Sequence, residues 1–191
     1  MELTEYRIIL ASNSPRRKEL LSGLDIKYET RIIPDVDESY PNSLSLEMVA
    51  AYLAEKKASA YQKELKDNEL LITADTVVLL EDMILGKPAN EHESISMLKT
   101  LSGKTHKVIT AVCLTSTKKQ ISFSDTSFVT FGKLSDAEIE YYVSKYKPFD
   151  KAGAYGVQEW IGYIAVERIE GSYYNVMGLP VFKLYKKIKE F

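Results

Sequence analysis

The residues Ser12-Asn13-Ser14-Pro15-Arg16-Arg17-Lys18 combine a helix start with three cations. Ser14 is a good N-cap, and Pro15 suits the first helical position, where a missing N–H costs nothing. Arg16, Arg17 and Lys18 then fall in the first turn, where the helix dipole already concentrates positive charge. Each cation there costs about 0.3–1 kcal/mol unless something negative is bound. A strand, a small-residue turn and a helix start armed with paired arginines make an anion site, with phosphate the natural ligand. The alternative is a solvated basic turn that tolerates the mismatch.

Asp75 interrupts the apolar runs Leu70–Ala74 and Thr76–Leu80. An unpaired buried carboxylate is costly, so it needs a partner, a metal or an exit to solvent. It could bind a divalent cation or deprotonate a water for attack on phosphorus, or it could bond a neighbouring turn as a structural residue. Lys57 lies on the apolar stripe of a helix, four residues after Leu53, where it either snorkels to the surface or directs its ammonium into a site. Gly86-Lys87-Pro88 places another lysine on a tight turn. The loop from Pro34 to Pro41 carries Asp35, Asp37 and Glu38. Glu38 could join Asp75 around a hard cation, which prefers carboxylate oxygen, or could simply be solvated. In the small-residue run from Asp150 to Gln158, backbone can approach a ligand closely. Gln158 offers a donor and an acceptor suited to a nucleobase edge, and a plain Gly-rich connection is the alternative.

The elements that must hold these groups alternate between strand-like and helix-like periodicity. Strands are expected at 7–11, 27–33, 70–80, 83–85, 108–116 and 120–131. Helices are expected at 15–23, 46–65, 91–101, from Ser135 to Lys145, and from Leu179 to Phe191 with Pro180 at its start. Between 150 and 178, five glycines divide the chain into short strands and loops. No repeat or linker interrupts residues 1–191, so one mixed α/β domain is expected.

The chain has 191 residues, with 25 Lys+Arg against 27 Asp+Glu and a net charge of -2. This balance argues against a non-specific nucleic-acid binder. No apolar run approaches the roughly 20 residues of a membrane span, and the N-terminus lacks a signal-peptide layout, so a soluble cytoplasmic protein is expected. The single cysteine, Cys113, excludes an internal disulfide and reads as inert core. Two histidines leave little room for a zinc centre, and His106, between Lys104 and Lys107, is expected to face solvent or pack locally. Of 13 tyrosines, eight follow residue 140, an enrichment with no evident chemical purpose.

Taken together and in order, these segments resemble the Maf family of septum-formation-inhibitor-like nucleotide pyrophosphatases. The matching stretches are 10–17, Ala74-Asp75-Thr76-Val77-Val78, Gly86-Lys87-Pro88, Ser102-Gly103 with His106, 150–158, Gly171-Ser172 and 175–180. The resemblance implies a Maf/ITPase-like α/β fold: a mixed, twisted central sheet flanked by helices, in two lobes with a cleft between them. It also implies a homodimer that hydrolyses nucleoside triphosphates to the monophosphate and pyrophosphate. Under it, Asp75 is the proton acceptor and Lys57 and Lys87 assist. Ser12, Ser14, Arg16 and Arg17 hold phosphates, and Glu38 joins Asp75 around a divalent metal, Mg2+ or Mn2+.

Arg16 directly after Pro15, Thr76 after Asp75, and Gln158 resemble the branch acting on dTTP and UTP rather than on 7-methyl-GTP. One departure is Glu159-Trp160, where many relatives have a glycine after the glutamine. A nucleotide-sensing regulator of cell division, acting through a partner, is the alternative of a different class.

Overall fold

A computed structural model describes residues 4–34 and 36–191; Asp35, one of the loop acids named above, lies outside them. In chain order the elements are β1 (Arg7–Leu10), α1 (Pro15–Ser22), β2 (Tyr28–Thr30), α2 (Val49–Tyr61), β3 (Glu69–Leu80), β4 (Met83–Leu85) and α3 (Glu91–Leu101). They continue with β5 (Thr105–Thr115), β6 (Gln120–Phe131), α4 (Asp136–Tyr146), α5 (Trp160–Ala165), β7 (Val166–Glu170), α6 (Tyr173–Met177) and α7 (Val181–Glu190). Seven strands form one mixed sheet in the order β2-β1-β3-β5-β6-β7, with β4 paired to β3. Among the described residues, no helix is long and apolar enough to cross a membrane.

Two compact units divide the chain. The first contains residues 1–75, 110–125 and 178–191; the second contains 76–109 and 126–177.

In the first unit β1 lies parallel to both neighbours, with Leu10 opposite Thr30 of β2 and Ile72 of β3. Ile9, Leu10, Leu71 and Ile72 are fully buried, as expected for a central parallel strand pair covered on both faces. Helix α2 buries Val49, Ala50, Leu53, Ala54, Ala58 and Tyr61, one stripe at helical spacing. Its expected span of 46–65 is trimmed at both ends to single 3-10 turns, 46–48 and 62–64. Thr73 on β3 donates to Ala54 O of α2 at 2.7 Å, which fixes the helix against the strand. At the edge, Arg31 forms a two-point ion pair with the fully buried Glu69 at 2.7 and 3.0 Å.

In the second unit β4 runs antiparallel to β3, and β7 runs antiparallel to β6 with an irregularity at Thr130/Phe131. Helix α4 opens with a complete capping box, Ser135 with Glu138, and buries Ile139, Tyr142 and Val143. The expectation of strands and loops alone between residues 150 and 178 is corrected here, whereas the helix expected from Leu179 is present at Val181–Glu190. Trp160–Ala165 and Tyr173–Met177 are short helices, each under two turns, so the hydrophobic period that announces a helix is never completed in the sequence.

Candidate active site

In the first unit, β1 delivers the chain to the turn 11–14, and Ala11 N–H donates to Ile72 O at 2.9 Å, holding the turn beside β3. Buried Ser12 accepts from Ser14 N–H at 3.2 Å, and Ser14 caps α1 by accepting from Arg17 N–H at 3.4 Å. Both serines therefore shape the helix start that the sequence announced. No acidic residue balances the first turn of α1.

The Arg17 side chain is tied to two backbone carbonyls. Its Nε donates to Gly178 O at 2.8 Å and its Nη1 to Ala74 O at 2.9 Å. The guanidinium thus joins the start of α1, the strand residue before Asp75 and the turn before α7. Burial pulls the Arg17 guanidinium below its ordinary range, while Asp75 and Glu38 favour its charge and Arg16 opposes it. Those influences place Arg16, Glu38 and Asp75 in one electrostatic neighbourhood around it.

Lys57, one turn after the Ala54 carbonyl that anchors α2, reaches Asp75. Its Nζ donates to Asp75 Oδ1 at 2.6 Å and pairs with Glu38 Oε1 at 2.8 Å. Asp75 and Lys57 are largely shielded, whereas Glu38 is half exposed. The preceding lysine secures the same loop: Lys56 Nζ donates to Asp37 Oδ2 at 2.7 Å and to Ser39 O at 2.7 Å. Asp37 also accepts from Ser39, and these bonds, led by that from Lys56, hold its carboxyl well below the usual carboxylate range. Consecutive lysines on α2 therefore grip consecutive acids of the loop.

Among the described residues, no three His, Cys, Asp or Glu side chains form a metal-holding group. Glu38 and Asp75 nevertheless aim carboxylate oxygens at one positive point. Two hard oxygen donors of this kind fit a divalent cation such as Mg2+, which typically takes one or two carboxylates and completes its shell with water and substrate phosphate.

The second unit holds Thr76, Lys87 and Gln158. Thr76 is half-buried on β3, and Lys87 is exposed on the turn after β4, before buried Pro88. Gly153 N–H donates to Gly86 O at 3.0 Å, tying the small-residue loop to that turn. Gly153 has φ +71°, a conformation that strains other residues, and a Cβ there would press on the methyls of Val78 at 3.1–3.2 Å. Gln158 Oε1 is buried with no hydrogen-bond partner.

His106 packs locally and away from solvent. Its Nε2 is 2.7 Å from Tyr155 OH, and its ring meets Phe131 and Tyr155 edge-on. Burial pushes the imidazole down to about 4. The sequence reading missed a second cluster, Tyr142, Lys151 and Glu159. Its only signal was Glu159 itself, an acid beside Gln158 where small residues dominate.

A family profile described as Maf-like protein matches residues 7–191. A dTTP/UTP pyrophosphatase of Parabacteroides distasonis is 58% identical over 189 residues, covering 99% of this chain and 98% of its own. A dTTP/UTP pyrophosphatase of Porphyromonas gingivalis is 56% identical over 191 residues, covering 99% and 96%. Among solved structures, a HAM1 protein from Coxiella burnetii aligns over 97% of this chain and 100% of its own, with a TM-score of 0.47 and 16% identity.

Proposed function

The chain belongs to the Maf family, and from that premise we propose that it hydrolyses dTTP and UTP to the nucleoside monophosphate and pyrophosphate. The observation that carries the reading is the shared cation: one ammonium, Lys57, held by both Asp75 and Glu38 beside a helix start rich in arginine.

The reaction needs a water to lose a proton, an α–β anhydride P–O bond to break, and the added negative charge to be balanced. Asp75 is the group for the first task. Lys57 holds its Oδ1, which fixes the carboxylate's orientation and leaves Oδ2 to take the proton. Arg16, at the start of α1, meets the phosphates with the positive end of the helix. Arg17 acts with it, but two of its donors are committed to Ala74 O and Gly178 O, so it also sets the position of Asp75's strand. Ser12 and Ser14 maintain the turn that presents these groups.

Lys87 supplies further positive charge for the triphosphate. A divalent cation held by Glu38 and Asp75 would neutralise phosphate charge and lower the pKa of a bound water. Thr76 and Gln158 discriminate the base. Gln158 has an unpartnered acceptor, and uracil and thymine each offer an N3–H donor flanked by carbonyls.

A panel of dTTP, UTP, CTP and 7-methyl-GTP with magnesium, read by pyrophosphate release, tests the assignment. dTTP and UTP should be turned over fastest. Preference for 7-methyl-GTP would refute the substrate assignment.

A further inference from the structure

Gln158 stands between two residues that are each pinned in place. On one side, a Cβ on Gly162 would lie only 1.7 Å from Val157 O, so α5 packs its backbone directly onto the residue before Gln158. On the other, Glu159 N–H donates to Gly156 O at 2.9 Å, and Glu159 O accepts from Gly162 N–H at 2.8 Å.

The Glu159 carboxylate is fixed in turn. It accepts from the hydroxyl of fully buried Tyr142 and pairs with Lys151 Nζ at 3.1 Å. The Tyr142 hydroxyl accepts from Gly156 N–H at 3.0 Å, so one hydroxyl bridges loop backbone and carboxylate. Lys151, shielded from water, also donates to Asp150 at 2.8 Å. A Cβ on Gly156 would meet Glu159 Cδ at 2.9 Å and Lys151 Cε at 3.1 Å, so the carboxylate lies directly over that glycine.

A shielded ammonium and a buried hydroxyl both require an acceptor here, and Glu159 satisfies both with charge-assisted bonds. Linked bonds of this kind hold a segment more firmly than their separate strengths suggest. We infer that Glu159, bonded to Tyr142 and Lys151, is the positioning residue that sets the Gln158 amide for recognising a pyrimidine base. The inference rests on the proposed reading of Gln158 as the base-contacting residue. Gln158 Oε1 then accepts from N3–H and its amide N–H2 donates to a ring carbonyl. Cytosine reverses that pattern, so displacing the amide weakens uracil binding and narrows the preference over cytosine.

The test compares the intact protein with Tyr142→Phe, Glu159→Gly and Glu159→Gln. UTP turnover gives KM and kcat, and calorimetric titration with UMP and CMP gives affinities that need no turnover. Tyr142→Phe and Glu159→Gly should raise KM for UTP and Kd for UMP by roughly tenfold, with kcat changed less than about twofold. The preference for UMP over CMP should shrink, and Glu159→Gln, which keeps an acceptor for Tyr142, should restore part of it. Folded variants whose KM and UMP affinity match the parent overturn the inference, as does a parent protein that binds no UMP. If the parent releases no pyrophosphate but the variants lose UMP affinity, the positioning role stands and the proposed hydrolysis falls. If the parent turns UTP over and the variants bind UMP equally well, the reverse holds.

Discussion

Lys57 Nζ lies 2.6 Å from Asp75 Oδ1 and 2.8 Å from Glu38 Oε1, so a single helix residue bonds a strand acid and a loop acid together. An acid in the middle of an apolar strand is tolerated because this partner is built in one turn beyond the Thr73–Ala54 anchor. The contact is both a structural tie and the feature on which the proposed chemistry depends.

Replacing Lys57 with Met keeps most of the apolar stem of the side chain but removes the ammonium. Asp75 then loses the bond that orients it, and kcat/KM for UTP should fall by roughly 10²-fold or more. Steady-state kinetics on protein with an unchanged circular dichroism spectrum measures this. A loss under about threefold would show that the orientation of Asp75 does not depend on Lys57.

Arg16 and Arg17 should separate by the kind of damage their loss causes. Arg17→Lys loses the planar fork whose Nε and Nη1 reach Gly178 O and Ala74 O from fixed, separate positions, so these bonds are weakened or lost. A destabilisation of about 2–3 kcal/mol is expected in urea unfolding, alongside reduced turnover. Arg16→Ala should leave stability within about 0.5 kcal/mol and raise KM for UTP instead. Equal stability of the two variants would contradict the division of labour.

The Arg31–Glu69 pair lies at the start of β3, six residues before Asp75, and provides a control. Glu69 is fully buried and also accepts from Lys66 N–H at 3.1 Å. The Arg31 guanidinium holds its carboxyl below the usual range. Glu69→Ala removes two bonds from the partly exposed Arg31 guanidinium and the acceptor of Lys66 N–H, and should cost about 1–2 kcal/mol in unfolding free energy. Folded protein should keep its kcat. A drop in kcat at full folding would mean that the strand end and the site are coupled.

His106 makes stability depend on pH in a defined window. Its folded pKa of about 4 lies below its ordinary 6.5, so between these values the unfolded chain binds a proton that the folded chain does not. Unfolding free energy therefore rises with pH across that window. Its contribution is complete above about pH 6.5 and is lost as pH falls toward 4, with a limit of about 3 kcal/mol. Urea unfolding between pH 4 and 7, compared with His106→Gln, measures it. The variant should show a shallower slope, and identical slopes would exclude His106 as the source.

Much of this was legible in the sequence because it follows local rules. Pro15 after Ser14 marks a helix start, Ser135 with Glu138 makes a capping box, and the apolar run around Asp75 marks a buried strand. The pairing of Lys57 with Asp75 was only one of two readings of Lys57, because its reach depends on how α2 docks on β3, a tertiary contact. Arg17's hold on Gly178 joins residues far apart in sequence, so the sequence suggested only its charge. The Tyr142–Glu159–Lys151 cluster joins α4 to the loop beyond it by side-chain contacts, so Glu159 beside Gln158 was its one sequence signal. Two of the late tyrosines now have bonded places, Tyr142 at Glu159 and Tyr155 at His106, while Tyr163 is 84% exposed and nothing in the structure explains it.

The measurement closest to the central claim is pyrophosphate release from UTP and dTTP in magnesium, comparing the intact protein with Asp75→Asn. Asn keeps the shape of Asp75 and can still accept from Lys57, but it cannot take a proton from water. The account predicts release by the parent and a loss of roughly 10³-fold or more in the variant, with the fold unchanged. Release by Asp75→Asn at the parent's rate would contradict it.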